Sequence, residues 1–260
     1  DDRLPSQSFT GSMSYVTGSH NAKIGMEMQR GHFWRGDNND STGGIWYFTT
    51  NGAPSFVTIQ SPVAGWQNNL NYNLGIYAQD RWTLDRLTVN GGVRLDMLNE
   101  STEPFTATAH RWLPNRNQSY AAVKDVPNWK DFNPRVSVAY DVFGNGKTAI
   151  KGSASRGVEQ DSIQFAGANN PASTLVTQTN RAREDDHANL TPLCVLTNGA
   201  AQGTSRASTG NASDGIDFCG PWLTRNFGSP NVATIYWPSI MTGWGNRPYN
   251  WEMSLGVQQE

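Results

Sequence analysis

Between positions 70 and 97 the apolar residues keep a strict two-residue period, and midway that period changes parity. Leu70, Tyr72, Leu74, Ile76, Ala78, Trp82 and Leu84 are even, whereas Leu87, Val89, Val93, Leu95 and Met97 are odd. Polar residues fill most of the complementary positions, including Asn73, Gln79, Arg81, Asn90, Arg94 and Asp96. A two-residue turn at Asp85-Arg86 produces this inversion, because the residues flanking such a turn face each other and point the same way. The pattern predicts two long antiparallel strands that share one apolar and one polar face. Leu84 should lie opposite Leu87, Trp82 opposite Val89, Ile76 opposite Leu95 and Leu74 opposite Met97.

Two architectures satisfy such a hairpin. In a soluble sandwich the apolar face is the core; in an outer-membrane barrel it meets lipid and the polar face lines the lumen. Each strand runs about 13 residues or more, against ~5–6 for soluble strands and the ~9–11 that a membrane crossing needs. Trp82 lies near the short turn, where an interfacial aromatic girdle sits. Asp80 resists, since it falls on the apolar face unless a bulge turns it inward.

Similar alternation recurs along the chain. It predicts wall strands at about 7–17, 22–35, 68–84, 87–99, 134–143, 147–157 and 246–260, seven in all. Short turns follow Thr17, Leu84 and Phe143, while the connections at about 36–66, 99–131 and 158–243 are long. Short and long alternate, as periplasmic turns and extracellular loops do in a barrel. The segments 45–49 and 56–60 flank Asn51-Gly52-Ala53-Pro54 and are too short to cross a membrane, so they are expected as a hairpin above the wall. Placing them within the wall is the competing topology. The fold expected is all-β, an antiparallel transmembrane β-barrel segment built from up-and-down hairpins.

Composition agrees. Of 260 residues only 37% are hydrophobic and the mean hydropathy is −0.58, yet there are 10 Trp, 10 Phe and 8 Tyr. Low hydropathy with many aromatics suits strands that are half polar by design. No apolar run reaches the ~18 residues of a membrane helix, and a net charge of −2 argues against a nucleic-acid partner. No signal peptide is recognisable at Asp1 and the pattern stops at Glu260, so a fragment of a longer protein is expected.

The stretches HNAKIGMEMQR, GIYAQDRWTLDRLTVNGGVRLDMLNE, DFNPRVSVAYDVFGNGKTAIKGSASR and GWGNRPYNWEMSLGVQQE resemble the β-barrel of TonB-dependent outer-membrane receptors. The resemblance is to the Oar-like group, whose full-length members carry a carboxypeptidase-regulatory-like domain, and it extends from about His20 to the last residue. It implies a barrel of about 22 strands, a plug domain, and energy from the TonB-ExbB-ExbD system acting through that plug. It implies uptake of a scarce nutrient, with siderophore, oligosaccharide and peptide all open. This sequence shows neither plug nor TonB box, so the remainder of the barrel and the outer-membrane lipid are its expected partners. The alternatives are a secreted soluble β-sandwich that binds carbohydrate and a structural or adhesive outer-membrane barrel.

No catalytic constellation or cofactor motif is present, and the chain is not expected to be an enzyme. His20 sits among turn residues without a partner at ligand spacing. Gly144-Asn145-Gly146 lacks the Gly-Lys-Ser/Thr of a phosphate loop and reads as a turn. Asp185, Asp186, Asp214 and Asp217 are weak candidates for a hard cation, set against plain solvated carboxylates. Asn39, Asn189 and Asn211 match the glycosylation sequon, which a bacterial outer-membrane protein rarely uses. Trp222, Phe227, Tyr236, Trp237 and Trp244 are candidates for ligand contact at the outer mouth, or else a loop core. Cys194 and Cys219, the only two cysteines, share one loop facing an oxidising exterior, and a disulfide is expected between them.

Overall fold

The computed structural model describes residues 2–36, 42–160, 163–185, 191–204, 217–232 and 234–260. In chain order the elements begin with β1 (Asp2–Arg3), β2 (Ser6–Thr17) and β3 (His20–Arg35). Next come β4 (Ile45–Thr50), β5 (Ala53–Gln60), β6 (Trp66–Leu84) and β7 (Leu87–Thr102). The short β8 (Phe105–Ala107) and β9 (Gln118–Tyr120) precede β10 (Lys124–Asp141) and β11 (Thr148–Val158). The last long connection holds α1 (Gln164–Asn169), α2 (Pro171–Thr174), β12 (Gln178–Glu184), β13 (Phe218–Cys219), α3 (Pro238–Met241) and β14 (Thr242–Trp244). β15 (Tyr249–Gln259) ends the chain.

Two larger sheets with different jobs result, beside the two-stranded β8–β9 sheet. The large one is a meander in which β3, β6, β7, β10, β11 and β15 follow one another, with β2 on the outer edge of β3. β1 continues that edge, pairing Asp2 with Arg35 beyond the break at Leu4-Pro5. All neighbours along this path are antiparallel. Leu84 faces Leu87, Trp82 faces Val89, Ile76 faces Leu95 and Leu74 faces Met97, the register that the parity inversion requires. Asp85 closes the turn at φ 40°, a conformation in which Asp is tolerated. The sheet is open, with the outer edges of β2 and β15 unpaired among the described residues.

The second sheet, in the order β13-β12-β5-β4, stands apart from the wall. The β4–β5 hairpin therefore belongs to this sheet and is not a strand pair of the wall. Its turn has Asn51 and Gly52 both at positive φ, the two-residue geometry that twists with its strands. Val57, Ile59, Trp112 and Phe227 form the core between this sheet and the loops. A further cluster consists of Val63, Phe105, Ala107, Ala172 and Leu175, with Trp66 and Tyr120 packed against it.

The largest difference from the sequence reading is β10, which starts at Lys124 and not near 134. Pro127 and Pro134 hide the strand, since proline interrupts a regular ladder. The structure accommodates Pro134 because the pairing of β11 with β10 begins only at Arg135. Above that point β14 lies beside β10 instead, in parallel, with Thr242 to Trp244 against Asn128 to Lys130.

Candidate functional site

The wall strands change character partway up. On β7 the odd positions from Leu87 to Met97 point outward and are apolar apart from Gly91, and the next two outward residues are Asn99 and Ser101. The inward positions run Asn90, Arg94, Asp96 and then Leu98, which is fully buried. On β3 the outward residues pass from Ile24, Met26 and Met28 to Arg30 and His32. On β6 a bulge between Leu70 and Tyr72 makes the same exchange. This corrects the position of Leu70, whose even number places it on the lipid side. The bulge pairs it with Glu100, and it packs inside against Leu98, Val126 and Trp129.

On β6 and β7 the apolar side chains are outside below this belt, and above it Leu70 and Leu98 are inside. From Leu87 to Met97 there are ten steps, and at ~3.4 Å each and a tilt of ~45° they span roughly 24 Å, close to the ~25 Å apolar band of outer-membrane barrels. Outward side chains in this band stay open to their surroundings, up to Leu255 at 85% exposure. So continuous an apolar surface has lipid as its solvent. Near the turn end, Asp80 stays on the outward face. His20 Nδ1 meets its Oδ2 at 2.6 Å and stacks on Trp82 at 5.6 Å. No bulge turns the carboxylate inward; a histidine partners it at the interface, where charge costs least.

The polar face lines a concavity of about 990 Å³. Its residues fall into cross-strand rows. Glu27, Gly75, Asp96 and Asp131 share one row, and Gly25, Tyr77, Arg94 and Asn133 share the next toward the periplasm. Arg94 Nη1 meets Glu27 Oε2 at 3.1 Å, and its Nε donates to Asp96 Oδ1 at 2.7 Å. Asn133 donates to Asp96 Oδ2 at 2.6 Å, and Arg156 donates to both Asn133 Oδ1 (2.6 Å) and Asp131 Oδ1 (3.2 Å). This chain of charge-assisted bonds links β3, β7, β10 and β11 across the lumen wall. Gly75 makes room for it: a Cβ there would sit 1.9 Å from Arg94 Nη2.

The mouth is covered by the chain itself. Glu100, fully buried, accepts from the backbone amides of Ile163 (3.0 Å) and Ala166 (2.9 Å), fixing the start of α1 on the lumen side of β7. Asn170 donates to Asn68 at 2.6 Å and caps α2 through Ala172 N. Phe165 stands edge-on to Trp129, with ring centroids 4.9 Å apart, and Trp129 Nε1 donates to Ile240 O. The longest connection thus folds down onto the wall.

A family model for an outer membrane beta barrel domain matches residues 4–260. The chain belongs to that family. Its place is the bacterial outer membrane, with lipid around the apolar band. No curated protein and no solved structure matches the chain. No helix among the described residues is long and apolar enough to cross a membrane, and in this barrel domain the crossing is made by strands.

Within the barrel domain the five aromatic candidates separate. Trp222 and Phe227 meet edge-to-face at 5.2 Å in the cap core, and Phe227 is 5% exposed, a packing residue and not an open ligand contact. Tyr236 packs on Phe165 at the lumen mouth. Trp237 and Trp244 are exposed, 72% and 62%. Cys194 and Cys219 form a disulfide with a Cα–Cα distance of 6.4 Å, within the usual range. Asp185 and Asp217 flank Arg183, at 3.7 and 3.2 Å from its Nη2, so an arginine already supplies the positive charge they face. Asp186 and Asp214, with sequon residues Asn39, Asn189 and Asn211, lie outside the described residues. Among the described residues no group of three or more His, Cys, Asp or Glu is arranged around a metal position.

Two buried arginines in the cap have no counterpart in the sequence reading. Arg181 donates to the carbonyls of Gly220 (2.9 Å), Asn198 (2.9 Å) and Ala200 (2.8 Å). Arg116 does the same for Thr108, Ser61 and Pro62. Burial holds both guanidinium groups below their ordinary pKa. They satisfy the backbone of loops that have no ladder of their own. Their signal, a single arginine whose carbonyl partners lie in other segments, is too weak to read from sequence. The Glu27–Arg94–Asp96 chain was readable in principle, by aligning inward positions through the predicted registers.

Proposed function

We propose that this barrel domain is part of a TonB-dependent receptor of the Oar-like group, which binds a scarce nutrient outside the cell and takes it up. The cap carries this reading. The connection from 158 to 243 is fastened over the lumen mouth by Glu100 and Asn68, so a solute must pass or displace it. An adhesive barrel has no need to close its lumen with its own loop. The exposed Trp237 and Trp244 are the surface aromatics on this connection and the stretch after it, and they make the first contacts with ligand. Energy then comes from TonB-ExbB-ExbD through a plug, with the rest of the barrel completing the wall between β2 and β15. The nutrient class stays open among siderophore, oligosaccharide and peptide.

Uptake of candidate nutrients by cells expressing the full-length protein tests this directly. The proposal expects saturable uptake that disappears when TonB is deleted, and disappears again when 158–243 is removed while the barrel still inserts. Uptake that persists unchanged without TonB overturns the energy coupling. No uptake of any nutrient, with cell adhesion lost on deletion, overturns the transport reading in favour of the adhesive one.

A further inference from the structure

We infer that the periplasmic half of the lumen face carries an anion-binding site built from Lys23, Arg81 and Arg135. Registers place it. Lys23, Gln79, Gly92 and Arg135 pair successively across β3, β6, β7 and β10 in one row, and Arg81 pairs with Asn90 in the next row toward the turn. All three cations line the same concavity. Gly92, between Gln79 and Arg135, puts no side chain into that row.

The rows above differ in charge balance. There, Arg94 and Arg156 are matched to Glu27, Asp96 and Asp131. Below, none of the three cations forms a salt bridge with a described carboxylate, and Lys23 only lies near the Tyr77 ring at 5.9 Å. Glu252 shares the Arg135 row through Ser155 but is two strands away and accepts from Asn250. Asp80, the carboxylate nearest in sequence to Arg81, is spent on His20 outside. Cations grouped in a concave wall without counter-charge concentrate anions, and guanidinium groups favour carboxylate and phosphate oxygens. Lys23 and Arg135 are three strands apart, about 14 Å between their backbones. The ligand class is therefore an anion with several acidic oxygens, such as a polycarboxylate or a phosphorylated solute. The site does not depend on TonB coupling, and it is tested without transport.

The test uses the full-length protein purified in detergent, with citrate and inorganic phosphate as probes and calorimetry as the readout. Citrate should bind, its affinity should fall as sodium chloride rises, and its neutral triethyl ester should not bind. Lys23→Gln/Arg135→Gln should weaken citrate about tenfold or more, equivalent to roughly 1.4 kcal/mol, and Arg81→Gln should weaken it less. Both replacements are polar residues on a polar face, and heat-modifiable migration confirms that the barrel is folded. Citrate affinity unchanged in the double variant, or no citrate binding at all, overturns the proposal. Carbodiimide treatment distinguishes the other source of carboxylate: a zero-length cross-link from Lys23 to an acidic residue of the same protein shows the cations neutralised internally, which also overturns it.

Discussion

The lower and upper parts of the same wall strands bury opposite faces. Below the belt marked by Arg30, the bulge at Leu70 and Tyr72, and Asn99, Val93 and Leu95 point out and Arg94 and Asp96 point in. Above it, Asn99 and Ser101 point out and Leu98, Leu70 and Trp129 are sealed inside beneath α1 and α3. β3, β6, β7 and β10 all run through this line, and β7 passes it without a bulge. The solvent changes, not the secondary structure. A strand in lipid must present apolar atoms outward, whereas a strand in water buries them, and one continuous ladder does both in turn. The outer membrane boundary is thus written in the order of side chains along a single strand.

The largest expected effect concerns the upper region alone. Cys194→Ala/Cys219→Ala opens a link between residues 25 apart in sequence, which the chain-entropy model values at roughly 3–4 kcal/mol. The cap should become protease-sensitive while the wall inserts normally. Loss of insertion would mean that the two regions are one cooperative unit.

In the lower region Val93→Arg, near the middle of the apolar band, should destabilise the barrel by about 2–4 kcal/mol. Asn90→Arg on the lumen side should cost far less. Denaturant titration in lipid vesicles measures both, and equal costs would remove the lipid assignment. Glu103→Arg sharpens this further. It lies just beyond β7, where its carboxylate accepts from Asn69 in water, so the same arginine should change stability by no more than ~0.5 kcal/mol.

Where the two regions join, Glu100→Ala leaves the amides of Ile163 and Ala166 without their buried acceptor, a loss of about 1–3 kcal/mol. Hydrogen exchange should accelerate around α1 and stay slow in β7. Uniform acceleration would show that the carboxylate holds the wall and not the cap.

How much of this could be read beforehand follows the same division. The hairpin at Asp85-Arg86 was legible to the residue, because a two-residue period with one polar face leaves a single register. Leu70 was not, since a bulge changes parity without leaving a mark in composition. β10 lost its first ten of 18 residues to Pro127 and Pro134. In the cap, Cys194 and Cys219 were legible as the sole pair, but Arg181 and Glu100 were not. Each serves backbone groups of distant segments, and nothing in the local sequence names those partners. The aromatic candidates failed to form one platform for a related reason: aromatic content alone does not separate a core ring such as Phe227 from a surface ring such as Trp237.

Spin labels placed one at a time along β7 from Leu87 to Ser101, in the full-length protein reconstituted into bilayers, test the central claim most directly. Labels at 87, 89, 93, 95 and 97 should be relaxed by oxygen in the lipid, and those at 90 and 94 by a water-soluble nickel reagent. At 98 the label should be shielded from both, and at 101 the outward label should turn to water. An odd-numbered series that stays in lipid through 101, or one that is wet from 87 onward, would contradict the account.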